Sequence, residues 1–285
     1  MGDGDSWGRC DLGHVHWGRY GAAGLLVYHV DPAGQRQVLL QQRAWWGSGG
    51  GTWGMFGGAR HSHEDPVSAA LRETTEECTL DVTRVRVHGF SVDDHGGWEY
   101  TTVIGSVPDL PEVHPASGET RDAAWVPEEK VADKRLFAPF ATGWPRLRGA
   151  LTRPVIVVDV ANVMGSRPDG WWKDRLGAAR RLHDEIAPLA RQGVTGLPYG
   201  FFAYDRCFPE LVLVTEGATR PLTSTVHGIR VEAAQGSGDD AIVGVLESAE
   251  PATAYLVVTS DRELRSRCQA LGASVTGPRW LLDQV

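Results

Sequence analysis

Apolar positions along the first 145 residues fall in short runs separated by turn signals. Ala22–Val30 (AAGLLVYHV) is apolar almost throughout, which predicts a strand. The turn Asp31-Pro32-Ala33-Gly34 leads to a return strand over Gln37–Gln42. After a Trp/Gly-rich stretch, Asp65-Pro66 reads as an N-cap and a first helical residue. Val67–Cys78 then offers good helix formers and no breaker. Strands are predicted over Thr83–Val92 and Glu99–Val107, a loop over Pro108–Glu119, a short strand over Ala123–Pro127 and a helix near Glu128–Leu136.

From Pro154 onward the pattern becomes strand followed by helix. Buried strands are predicted over Pro154–Asp159 and Leu211–Thr215, further strands over Gly228–Val231 and Tyr255–Thr259, and a last short one near Ala273–Thr276. Helices are predicted over Trp172–Gln192, irregular at Gly177 and Pro188, and over Ala241–Glu247 and Arg262–Leu271. Such alternation implies a parallel sheet with helices on both sides. The expected organisation is an irregular segment over 1–18, one domain over 19–145, a linker over 146–153 and a second domain over 154–285.

Composition changes this picture little. The chain has 285 residues, enough for two cores, and is 42% apolar and 22% charged, as in ordinary globular proteins. No apolar run reaches the ~18–20 residues that span a bilayer, so no membrane partner is expected. The N-terminal residues lack the pattern of a signal peptide, and four scattered cysteines suit reduced thiols, so a cytoplasmic protein is expected. A net charge of -8 weighs against broad, non-specific nucleic-acid binding.

The chemistry concentrates in the helix after Asp65. Glu73, Glu76 and Glu77 stand at i, i+3 and i+4 and share one helix face. Three like charges there repel unless a cation sits among them. Mg²⁺, with Mn²⁺ as a substitute, takes one or two carboxylates and completes its shell with water and phosphate oxygens. The plainer alternative is a solvated acidic face. Near the N-terminus, His14 and His16 lie close to Cys10 and Asp11, a metal-ligand composition that equally suits exposed or packed side chains. Glycines between Ser48 and Gly54 suggest positive φ angles, and Trp45, Trp46 and Trp53 are either packing residues or platforms for a base.

Gly58, Glu64, Arg72-Glu73, Glu76-Glu77 and Leu80 stand at spacings that resemble the Nudix box. The resemblance implies an α/β/α sandwich with a mixed sheet. It also implies a Mg²⁺-dependent hydrolase of a pyrophosphate bond in a nucleoside diphosphate linked to another group, a MutT-like triphosphate pyrophosphatase being one form. Arg72, Glu73, Glu76 and Glu77 would be catalytic. The metal would lie on Glu73, Glu76, Glu77 and Gly58, with Arg43 and Trp53 against the nucleotide. Asp93, Asp94, Glu99 and Glu119 are open alternatives for a further ligand or base. Three positions depart from the family: Thr79 stands for a helix-capping Gly, Thr74 for an aliphatic residue, and Phe56 for Pro.

The second half carries VVDVANV, SGDDAI and VTSDREL, which resemble the PIN-like NYN nucleases. Asp159, Glu216 and Asp261 each follow a strand and Asp239-Asp240 opens a helix, so four acidic clusters meet at one sheet edge, where they repel unless Mg²⁺ or Mn²⁺ sits among them. The resemblance implies a doubly wound parallel sheet, a second metal site at Asp159, Asp240 and Asp261, and RNA as partner, for which a basic path would come from Arg180, Arg181, Arg262, Arg265 and Arg267. Each Asp is alternatively a helix cap, and the arginines a solvated face. Ala161 replaces the second Asp that a HAD-type phosphatase needs, and no P-loop is present. An alternative for the whole chain is a nucleotide-binding regulator whose second domain cleaves RNA.

Overall fold

The structure is a computed structural model that describes residues 2–198 and 203–285. Its described residues form two compact units that part between Leu151 and Thr152.

The first unit begins with a small antiparallel hairpin, β1 (Trp7–Arg9) and β2 (Val15–Trp17), paired Trp7 to Trp17. This segment was expected to be irregular. Its strands are three residues long, too short for alternation to register. The core strand is β3 (Ala22–Val30), buried from Ala22 through Tyr28. It pairs antiparallel with β4 (Arg36–Arg43) over Val27–Val30, and with β6 (Phe56–Ala59) over Ala22–Leu25, so one edge serves two partners. On its other edge it runs parallel to β8 (Glu99–Ser106), which pairs antiparallel with β7 (Arg86–Asp94). β4 also pairs with β5 (Trp53–Gly54) and β9 (Thr120–Pro127). The sheet is therefore mixed.

Helix α1 (Pro66–Glu77) packs Ala69, Ala70, Val67 and Leu71 on Ala23, Leu25, Val27, Leu39, Phe56 and Val103. Its start is as predicted: Asp65 accepts from the amides of Val67 and Ser68 at 2.9 and 3.1 Å. Its end is not a left-handed cap. Cys78 is extended, and Thr79 donates its amide to the His114 carbonyl while its hydroxyl accepts from the His114 amide at 2.9 Å. The chain leaves α1 as a strand-like pairing, which removes the need for Gly at 79. Thr74 is fully buried, and its hydroxyl is satisfied by the Ala70 carbonyl at 2.8 Å.

The helix expected near Glu128–Leu136 is only a 3₁₀ turn, Glu128–Lys130. The helix lies later, as α2 (Ala138–Leu147), which holds Pro145 internally. Residues 146–153, expected as a linker, are the end of α2, the 3₁₀ turn Arg148–Ala150, Leu151, Thr152 and the first residue of the next strand.

The second unit is a five-stranded parallel sheet of β10 (Arg153–Asp159), β12 (Glu210–Thr215), β13 (Ile229–Ala233), β14 (Thr253–Val258) and β15 (Ser274–Thr276), in the order β13-β12-β10-β14-β15. A two-residue strand, β11 (Arg206–Cys207), bridges Val194. Val155, Val157, Val212, Val214 and Val257 meet α6 (Gly238–Glu247) and α7 (Arg262–Ala270), and the alternate residues Ile156, Val158, Leu211, Leu213 and Leu256 are buried as well. The helical region expected over Trp172–Gln192 is a 3₁₀ turn Trp171–Lys173, α4 (Arg175–Ile186) and α5 (Leu189–Gln192): it breaks at Pro188 as expected, whereas Gly177 lies inside α4 and the other break falls at Asp174. A short α3 (Val160–Gly165), capped by Asp159, was not anticipated, and α8 (Pro278–Leu282) closes the chain. Strand order reverses between β10 and β14, the position where ligands enter such sheets beyond the strands' carboxyl ends. Among the described residues, no helix is long and apolar enough to cross a membrane.

Candidate active site

Two glycines set the distance between α1 and the sheet. Gly57 lies opposite Gly24 and Gly58 opposite Ala23 across the β3–β6 pair. A Cβ on Gly57 would reach within 2.5 Å of the Gly24 Cα. One on Gly58 would reach within 2.8 Å of a Glu73 carboxylate oxygen. The box glycines therefore let backbone and carboxylate approach where no side chain fits.

Arg72 organises the acidic face. Its Nε donates to Glu64 Oε1 at 2.7 Å and its Nη2 to Glu64 Oε2 at 3.0 Å, a bidentate pair. Nη2 also donates to the Ala59 carbonyl at 2.9 Å, while Nη1 reaches Glu73 at 2.8 Å and Glu76 at 3.4 Å. One planar fork thus ties the loop residue Glu64, the end of β6 and two glutamates of α1 together. Hydrogen bonding to Arg72 holds the Glu64 carboxyl far below the usual range, at about 2.

Glu77 faces inward. It is 7% exposed, and its Oε2 accepts from Gln41 Nε2 at 2.9 Å and from the Gly57 amide at 3.2 Å. Burial pushes its carboxyl up to about 7. The charges of Glu73 and Glu119 add to the rise, and the Gly57 amide and Arg43 oppose it. Burial also raises Glu73, against Arg72. Gln41 was not singled out from the sequence, although its register beside Leu39 in β4 puts it on the α1 side of the sheet. It is fixed in turn by the Met55 carbonyl at 3.0 Å and the Thr120 hydroxyl at 2.8 Å.

The remaining first-unit candidates separate. Asp93 faces His95, Asp94 accepts from the Gly96 amide at the β7–β8 turn, and Glu99 pairs with Arg60 at 2.6 Å. Of the four later carboxylates, Glu119 is the one whose charge acts on Glu77. Arg43 donates to the Ser48 carbonyl at 2.9 Å and lies over the Phe137 ring at 4.9 Å, with its charge also felt at Glu77. The Trp53 ring carries the Lys134 ammonium at 4.7 Å. Trp45 and Trp46 do not fill a core edge: they are 63% and 74% exposed. Gly49 and Gly51 have the positive φ angles expected of this loop, and Gly51 leaves room for the Trp45 ring.

In the second unit, Asp159 is buried, accepting from the Asn162 amide at 3.0 Å and from the Thr259 hydroxyl at 2.9 Å. Burial raises its carboxyl, and Asp239 and Glu216 raise it further. Asp261 caps α7 through the Leu264 amide at 2.8 Å. Asp240 does not join this group. It turns outward to Arg267 at 2.7 Å, and its neighbour Asp239 feels Asp261 and Glu216 instead. The acidic set is therefore Asp159, Glu216, Asp239 and Asp261. One residue along a helix rotates a side chain by about 100°, and the sequence did not fix that phase. Of the arginines expected along an RNA path, Arg265 donates to the Thr259 carbonyl and Arg267 is held by Asp240.

Residues 21–144 match the NUDIX domain family. The protein of Mycobacterium tuberculosis (strain H37Rv) named "Putative 8-oxo-dGTP diphosphatase 3" is 46% identical over 155 residues, covering 52% of this chain and 71% of that protein. A "Nucleoside triphosphate pyrophosphatase/Nudix hydrolase fusion protein" of Bifidobacterium longum is 38% identical over 152 residues, 52% of this chain and 32% of that protein. The crystal structure of a Nudix hydrolase from M. smegmatis, RenU, is similar at 40% identity and a TM-score of 0.49, covering 52% of this chain and 94% of that one. The chain belongs to the Nudix hydrolases, enzymes that hydrolyse phosphoric anhydride bonds.

The ion pair at Arg72 carries a prediction about acid stability. Glu64 has a folded-state value near 2 against an ordinary 4.5. A depressed carboxyl stabilises the fold fully above its unfolded value and loses that contribution as pH falls. Thermal unfolding between pH 4.5 and 2 is therefore expected to fall less steeply in Glu64→Gln than in the parent chain. Parallel curves for the two would remove the pair from the acid response.

Proposed function

We propose that the first unit is a Mg²⁺-dependent pyrophosphohydrolase of nucleoside triphosphates, with an oxidised purine triphosphate as the preferred substrate. The observation that carries the reading is the single Arg72 fork holding Glu64, Glu73 and Glu76 beside the buried Glu77. The names of the M. tuberculosis and B. longum relatives support the substrate class. The donor set fits a hard divalent cation: three carboxylates, two of them raised by burial and by mutual repulsion, and the Gly58 carbonyl. Glu73, Glu76, Glu77 and Gly58 would hold it, and when bound it would offset charge on the phosphoryl oxygens and acidify a water.

The chain's own groups do the rest. Arg72 fixes the rotamers of Glu73 and Glu76, and Glu64 holds that guanidinium in place through two hydrogen bonds. Gln41 and the Gly57 amide orient the Glu77 carboxylate and favour its charged form. Arg43 contributes positive charge on the same side, suited to the outer phosphates of a nucleotide. A screen of the purified chain with Mg²⁺ tests this, using 8-oxo-dGTP, dGTP and dinucleoside polyphosphates and scoring phosphate and pyrophosphate release. The expected result is turnover of triphosphates with the oxidised purine favoured in kcat/KM. Calorimetric binding without product would favour the nucleotide-binding regulator instead.

A second reading, for the second unit, rests on the acidic set at the strand ends of a parallel sheet, where the buried Asp159 feels Asp239 and Glu216. It is a PIN-like, metal-dependent ribonuclease site with Asp239 in place of Asp240. With RNA and Mn²⁺, the full chain is expected to cleave, Asp159→Asn to lose cleavage and Asp240→Asn to keep it. Equal activity in all three would discard the site.

A further inference from the structure

We propose that Cys10, His14, His16 and His95 form a structural Zn²⁺ site that pins the β1–β2 hairpin to the β7–β8 turn. One ligand atom from each of the four lies within 4.8 Å of the others. Tetrahedral zinc, with bonds near 2.0 Å to nitrogen and 2.3 Å to sulfur, sets three nitrogens and one sulfur about 3.3–3.6 Å apart, so closure asks for roughly 1 Å of side-chain movement.

The local fold delivers these residues together. The Cys10 amide bonds the His14 carbonyl at 3.1 Å, and Gly13, at φ 82°, makes the tight return between them. The strand period of two then puts His14 and His16 on the same side of the hairpin. His95 comes from the β7–β8 turn, where its amide bonds the Trp98 carbonyl at 2.9 Å. The two tips are stitched by the Asp11 amide, which donates to the Gly96 carbonyl at 2.8 Å. Asp11 thus serves through its backbone, and the ligand that completes the group comes from 79 residues beyond His16, counted from the sequence.

A second observation points to a ligand. His16 Nε2 and His95 Nδ1 are buried and have no hydrogen-bond partner. Buried polar nitrogens left without a partner are destabilising, and a bound metal would satisfy both. The other nitrogen of His95, Nε2, faces Asp93 Oδ2 at 3.3 Å, the carboxylate–histidine arrangement that leaves Nδ1 free to ligate. The His16 ring is stacked on Trp98 with centroids 3.9 Å apart and planes 11° from parallel, and Trp98 is anchored by its Nε1–H on the Gly18 carbonyl at 2.8 Å. Cys10 is buried at 4% exposure. One thiolate and three imidazoles select zinc over the magnesium that the glutamates of α1 suit. A two-stranded hairpin of three-residue strands is marginal without such a staple.

The test uses the full chain, stripped with chelator and then titrated with Zn²⁺ against a chromophoric competitor, and with Co²⁺ followed by absorption. The expected result is one zinc per chain, a tetrahedral cobalt spectrum with a thiolate charge-transfer band, and a melting temperature raised by zinc. Cys10→Ser and His95→Gln are each expected to weaken zinc binding by more than the roughly 100-fold that loss of an outer-shell partner costs, and Asp93→Asn by about 10- to 100-fold. Cys78→Ala and Glu76→Gln should leave zinc binding unchanged, which separates this site from the other cysteines and from the acidic helix. His95→Gln keeps the test open should Cys10→Ser fail to fold. Absence of a stoichiometric zinc, or a thiolate band that survives Cys10→Ser, overturns the proposal.

Discussion

Replacing Glu76 by Gln is expected to lower Mg²⁺-dependent turnover by about 10²- to 10⁴-fold while leaving thermal unfolding unchanged. The position separates chemistry from folding better than its neighbours. The Glu76 side chain is 59% exposed, and its contact with Arg72, at 3.4 Å, is the longest that this guanidinium makes. Exposed ion pairs of this kind contribute roughly 0–1 kcal/mol, and their loss does not disturb a core. Gln keeps the volume and removes the charge. Steady-state kinetics beside a melting curve checks the result, and undiminished turnover would take Glu76 out of the reaction.

Alanine at the two box glycines is expected to give opposite phenotypes. In Gly58→Ala the new methyl meets the end of the flexible Glu73 side chain, which can move. The fold should survive, but the 2.8 Å contact between Arg72 and Glu73 is lost and turnover should fall by about 10²-fold or more. In Gly57→Ala the methyl meets backbone of β3, at Ala23 and Gly24, and nothing there is flexible. Opening the β3–β6 pair should cost about 1–3 kcal/mol, read as a lower denaturant midpoint. A fully active Gly58→Ala would show that Glu73 need not be held by Arg72.

The helix that carries the acidic residues was legible because its signals are local. Asp65, Pro66 and a breaker-free run fix its start and phase, and the structure places α1 at Pro66–Glu77. The parallel sheet of the second unit was legible for the same reason, since its β-branched runs are continuous. Elements defined by distant partners were not. A proline usually ends a helix, yet Pro145 sits inside α2, whose start signal is Pro139 in the first turn. The end of α1 depends on His114, 35 residues away from Thr79, which no local pattern reveals. Gln41 braces Glu77 across 36 positions. The choice between Asp239 and Asp240 rests on Arg267, which draws one of them outward.

The division of one β3 edge between β6 and β4 limits how this enzyme can evolve. The glycine strand and the return strand share a single template, Ala22–Leu25 for one and Val27–Val30 for the other. An insertion or deletion in β3 would turn every following side chain to the opposite face and uncouple the two partners at once. Changes in chain length are therefore expected to be confined to the surface loops, such as the one between β4 and β5, with the shared strand left as inherited.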